Sequence, residues 1–182
     1  MKKIIIFAGV LIAFIAVGFV GMRLYTKQFS PQDSASYSTE QVDINVKYSR
    51  PYKKDRDVFG DLVPFGQTWR TGANEATVFT TNVDLDIKGK ILPAGSYSLF
   101  TVPGEDSWKV IFNNETGQWG INFSGEANKA NEQDELQVEV ASVKSSNVFE
   151  QFTISFEKMG EEIEMIMMWD QTLIVVPMTI SN

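Results

Sequence analysis

The chain has 182 residues, a formal net charge of −7, and neither cysteine nor histidine. Those absences exclude disulfides, thiol nucleophiles, histidine acid–base chemistry and ordinary zinc sites. Past residue 23 there are 13 basic against 23 acidic side chains, a net of −10, so nucleic acid is excluded as a partner, and the length suits one soluble domain.

Ile4 to Met22 is a run of 19 uncharged residues flanked by Lys2, Lys3 and Arg23. At ~1.5 Å per residue it reaches roughly 28 Å, close to a ~30 Å hydrocarbon core and longer than a signal peptide needs. Residues 1–23 therefore read as an uncleaved transmembrane signal-anchor. Ala16-Val17-Gly18 offers the alternative of a cleavable signal peptide, and the lack of cysteine excludes a lipoprotein. Lys2, Lys3 and the terminal amine slightly outweigh Arg23 and Lys27, which predicts a single-pass protein of the cell membrane with its domain outside the cytoplasm, periplasmic or at the cell surface. Residues 24–40, polar and rich in Ser and Thr, read as a linker.

From residue 41 to 182 the dominant signal is period two. Val42, Ile44, Val46 and Tyr48 alternate with polar residues, as do Val83, Leu85 and Ile87, and Leu136, Val138 and Val140. Turn residues at Lys88-Gly89-Lys90, Pro93-Ala94-Gly95, Pro103 to Asp106, Asn113 to Gly117, Lys144 to Asn147 and Gly160 divide the rest. Strands are predicted near 42–48, 76–81, 83–87, 96–102, 107–113, 119–123, 136–143, 151–158 and 163–169, with 173–180 as a tenth or a continuation. Pro177 restricts that last strand to an edge or an end. The predicted fold is all-β, a two-layer antiparallel β-sandwich behind one N-terminal transmembrane helix, with a jelly roll or closed barrel as alternatives. Val42, Ile44, Val46, Leu85, Leu99, Val110, Val138, Ile154, Met167 and Val175 are its predicted core residues. Trp108, Trp119 and Trp169 read as core in preference to a sugar-stacking platform.

Between Tyr48 and Thr77 the alternation fails while Gly60, Gly66, Gly72, Pro51 and Pro64 accumulate. Tyr52, Phe59, Phe65 and Trp69 give this long loop apolar anchors of its own, a pattern common in functional loops. It also holds Arg50, Arg56 and Arg70, all the arginines beyond Arg23, within 21 residues of an acidic protein. A guanidinium is a fixed fork of donors suited to carboxylate or phosphate. Arg50, Arg56, Trp69, Arg70, Asn74 and Glu75 are therefore the candidate ligand-binding residues, with Arg70 and Asn74 facing one pocket along Trp69. The competing structural reading has Arg70 or Arg50 pairing Glu75 to pin the loop and Trp69 plugging one end of the sandwich. Asp55, Asp57 and Asp61 lack a full calcium ligand set, and neither a metal nor a cofactor is expected. The 11 acids between Glu126 and Asp170, set against three lysines, read as a solvated face.

The run Ser49-Arg50-Pro51, Phe59-Gly60, Leu62-Val63-Pro64, Trp69-Arg70-Thr71-Gly72-Ala73-Asn74-Glu75-Ala76-Thr77 and Leu92-Pro93-Ala94-Gly95 resembles a bacterial family known as domain of unknown function 2911. The resemblance covers about Gln41 to Val176 and includes Trp169. It implies an exported all-β cell-envelope domain behind a signal or anchor, and it supplies no catalytic residues. Three functions follow for testing. The first is a membrane-tethered binding module for a small polar or anionic ligand such as a sugar, peptide end or carboxylate. The second is a hydrolase pairing Glu75 with Asp61 or Asp57, and the third is a purely structural envelope domain. Protein partners are not indicated.

Overall fold

The computed structural model describes residues 2–122 and 124–181. Helix α1 (Lys2–Phe29) is long and apolar enough to cross a membrane, and none of its most apolar window is buried against the rest of the chain. It outlasts the expected anchor by six residues. Arg23 and Lys27 extend it beyond the apolar run, and its last turn carries the basic residue that a helix C-terminus favours.

Among the described residues nine antiparallel strands follow: β1 (Gln32–Ser38), β2 (Asp43–Ser49), β3 (Thr77–Thr81), β4 (Leu85–Ile87), β5 (Lys90–Leu92), β6 (Gly95–Val102), β7 (Ser107–Asn113), β8 (Asp134–Met159) and β9 (Glu162–Ile180). They form one sheet in the order β1-β2-β3-β6-β7-β8-β9-β4-β5. The two long strands make it double back. β8 pairs with β7 through Ala141 and with β9 from Ser142 onward, while the end of β9 pairs with β4. Strands that change layers through irregular registers produce two layers around one core. The far edge returns as well, since Tyr52 bridges Gln151 and the Pro51 carbonyl accepts from Phe152 N–H at 3.0 Å.

Alternation identified the buried face of most strands. Nine of the ten predicted core residues are buried, and Val175 is the exception because Ile174, Val176 and Met178 take the core positions. The parity changes around Asp170, whose φ of 53° coincides with the two register shifts at which β8 carries the extra residues. Inward positions are odd up to Trp169 and even from Ile174 onward, as a bulge requires. Pro177 falls between the ladder ending at Ile174 and the one starting at Thr179, where it costs neither a hydrogen bond.

Other elements differ from expectation. Residues 32–38, expected within a linker, pair in full with β2, and Ala35 and Tyr37 lean on the core. Of the strand expected over 119–123, the described residues 119–122 form only a bridge from Ile121 to Ala127, residue 123 lies outside the described residues, and Trp119 is half-buried rather than core. The two predicted strands 136–143 and 151–158 are one strand, as are 163–169 and 173–180. Lys129 lies almost wholly buried on Asp134, 2.6 Å away, with Asn113 and Gln137 also donating to that carboxylate.

Candidate functional site

The loop between β2 and β3 is ordered by hydrogen bonds to strands on both sides. Lys53 N–H reaches the Glu150 carbonyl, and Gly66 N–H the Pro103 carbonyl at 2.8 Å. Trp69 exchanges both backbone bonds with Thr101, at 2.7 and 2.9 Å. Val58 and Val63 are buried, and Phe59 packs edge-on against Trp69, Trp108 and Trp169. Trp69 stacks on Trp169 at 5.8 Å with 19° between the rings, and its indole N–H donates to the Gly72 carbonyl at 3.0 Å. The burial of these rings offsets the entropy of ordering the loop.

The next turn is strained. Thr71 and Asn74 hold φ of 53° and 58°, a left-handed conformation uncommon for a β-branched threonine. Such a conformation costs about 1–3 kcal/mol and persists only where surroundings over-determine it. Here the Thr71 hydroxyl meets that of Thr101 at 3.1 Å, and Thr77 Oγ1 donates to the Thr71 carbonyl at 2.6 Å. Gly72 lies so close to the Ser49 carbonyl that an added Cβ would stand 2.9 Å from it. The turn therefore fixes the directions of Arg70 on one side and Asn74 and Glu75 on the other.

The six candidate residues divide into groups. Arg50 is fully engaged: its Nε donates to the Phe152 carbonyl, Nη1 to Asp33 and Nη2 to Thr153, at 3.1, 2.9 and 2.7 Å. It clamps β1 and β2 to β8 and does not line the cavity that holds Arg70. Arg56 donates to the Lys53 and Tyr52 carbonyls and caps its own loop. Asn74 donates to the Ser30 carbonyl at 3.1 Å, so it ties the turn to the end of α1 and does not face the cavity with Arg70. Glu75 binds Arg23 and lies 3.4 Å from Lys27, both on α1. Burial acts to raise the Glu75 pKa, but the Arg23 hydrogen bond, its own N–H and the two positive charges bring the net value below the ordinary one. That direction is wrong for a general acid.

Trp69 and Arg70 do share a cavity. It measures about 870 Å³ and is bounded by Phe29 and Ser30, by Lys54 and Arg56, by Leu62 and Val63, and by Ile121, Glu126 and Trp169. Nη1 of Arg70 is buried and has no hydrogen-bond partner among the described residues, and the same holds for Nε1 of Trp169. Burial lowers the Arg70 pKa and the Glu75 charge opposes this; the guanidinium stays cationic at neutral pH. Gly120 makes room for it, because a Cβ there would meet Arg70 Cβ and Cδ at 2.9 Å.

Sequence reasoning missed Lys54, Gly120, Ile121, Trp169 and the end of α1 as parts of this region. Lys54 was legible as a third cation beside Arg56, but the glycine and the helix end carried no local signal. A helix with the length and apolarity to span a membrane, followed by an antiparallel all-β domain with a cationic, aromatic-walled cavity, defines the class of protein. The chain belongs to the family described as Protein of unknown function (DUF2911), which it matches over residues 30–178. No curated protein and no solved structure matches it.

Proposed function

We propose that this chain is a membrane-tethered binding module, held by α1 with its domain outside the cytoplasm, and that its cavity takes a small polar ligand through an anionic group placed on Arg70. Trp69 and Trp169 supply a flat apolar wall, and Arg56 stands at the rim. The observation that carries this reading is the unpartnered, buried Nη1 of Arg70. Arg50 donates to the fold from all three of its nitrogens, and Arg56 from Nε and Nη2. A buried donor left unmade costs about 1–3 kcal/mol, which a carboxylate or phosphate oxygen would recover.

The test is a thermal-shift screen of the purified full chain against sugars, peptides and small carboxylates and phosphates. A compound that raises the melting temperature of the parent, and no longer does so in a folded Arg70→Ala protein, supports the reading. If Arg70→Ala unfolds the domain and no compound shifts the parent, the binding function is refuted.

A further inference from the structure

The contacts between α1 and the Thr71–Glu75 turn set the height of the cavity relative to a membrane. Arg23 is the first charged residue past the apolar run, so it marks the hydrocarbon boundary, and its guanidinium binds Glu75 and sits 5.7 Å from the Trp119 ring. Tryptophan and arginine both favour that boundary. Six and seven residues further along, Phe29 and Ser30 form one rim of the cavity, with the Lys54 ammonium 5.2 Å from the Phe29 ring. The six helical residues from Arg23 to Phe29 rise ~9 Å, and the headgroup layer beyond each hydrocarbon edge is roughly 5–8 Å deep. With its turn at Arg23 and its rim at Phe29, the cavity spans the depth of the headgroup layer and opens at that layer's aqueous face.

Its charge fits that position. The domain is acidic overall, yet Lys54, Arg56 and Arg70 face the cavity against Glu126 as its one acid among the described lining residues. Leu62, exposed at 40%, stands at the same cavity. The volume exceeds what one carboxylate or sugar hydroxyl cluster would fill.

Building on the Arg70 site and on α1 as a membrane span, we propose that the ligand is the phosphate-bearing headgroup of a lipid from the leaflet that α1 enters. Its phosphate sits on Arg70 with Lys54 and Arg56 at the mouth, and its glycerol and first acyl carbons lie against Trp69, Ile121 and Leu62. The same cationic fork would accept a free phosphate ester, so the apolar part is what identifies a lipid source.

The experiment titrates the full chain in detergent with dihexanoyl phosphatidylglycerol and, separately, with glycerol 3-phosphate, following tryptophan fluorescence and stoichiometry by native mass spectrometry. One short-chain lipid is expected per chain. It should bind at least about ten-fold tighter than glycerol 3-phosphate, since burying even two methylenes suffices for that. Arg70→Gln should abolish the tight binding. Lys54→Glu, at an exposed position, should weaken it several-fold with an unchanged melting temperature, which keeps the test valid should Arg70→Gln fail to fold. Equal affinity for the two probes, lost together in Arg70→Gln, would overturn the lipid source and leave the anion site standing. Binding of neither probe, alongside an Arg70-dependent sugar or carboxylate hit, would overturn the phosphate ligand only. Lipid binding indifferent to both substitutions would overturn this assignment, and with no Arg70-dependent ligand of any kind the binding function falls too.

Discussion

Arg50→Ala and Arg70→Ala, compared side by side, separate a structural arginine from a binding one. Arg50→Ala removes three hydrogen bonds that join β1 and β2 to β8. Its bond to Asp33 involves a side chain 44% exposed, so it contributes at most about 1 kcal/mol. The bonds to the Phe152 carbonyl and Thr153 are half-buried and charge-assisted, about 1.5 kcal/mol each. The total is about 3–4 kcal/mol, which for a domain of this size lowers the melting temperature by roughly 8–12 °C. Arg70→Ala removes no hydrogen bond to a described residue, only methylene contacts beside Gly120 and the attraction of the Glu75 charge, so its cost stays within about 1–2 kcal/mol. Differential scanning calorimetry of the ligand-free full chain in detergent, with urea titration as a cross-check, measures both. If Arg70→Ala melts as early as Arg50→Ala, Arg70 is a clamp and the reasoning from its free donor is refuted.

Gly120→Ala forces a side chain onto a backbone at φ 86° and into Arg70. It should cost about 1–3 kcal/mol in urea unfolding and weaken any Arg70-dependent binding. Lys129→Met leaves Asp134 charged and buried without its cation, and chemical denaturation should show a loss of about 3–5 kcal/mol. Because the folded Glu75 pKa is depressed, Glu75 contributes stability above its unfolded value near 4.5 and loses it as pH falls through the lower folded value. The parent should lose under about 1 kcal/mol more than Glu75→Gln over that acidic window, as thermal melts against pH would show, since Arg23 is 42% exposed.

Strand faces were legible where one side is buried and the other wet, because a slip of one residue would expose Val42, Ile44 and Val46 together. The parity change around Asp170 was not legible, since nothing local distinguishes an aspartate in the regular pleat from one at positive φ. β1 escaped notice because QDSASYS has only Ala35 and Tyr37 to alternate, and it gains its order from β2 and from Arg50. At the candidate site, the confinement of arginine pointed to the loop but not to the work of each residue. Which guanidinium is spent on the fold depends on carbonyls more than 100 positions away, such as that of Phe152 for Arg50. The partners of Glu75 lie on a helix that composition assigned to the membrane.

The closure of β2 onto β8 also shapes how this chain must fold. Tyr48 bonds Ile154 across 106 positions, and Arg50 bonds Thr153 across 103. A topology so rich in distant pairings has high contact order and folds in milliseconds to seconds rather than microseconds. β1 and β2, made first and tied to α1, must wait for nearly the whole chain before their edge is covered. Through that interval the exposed edge can pair with a neighbouring copy. Versions of the domain that begin at residue 41 would strip β1 permanently and leave β2 in that aggregation-prone state, whereas a start near residue 30 retains the cover.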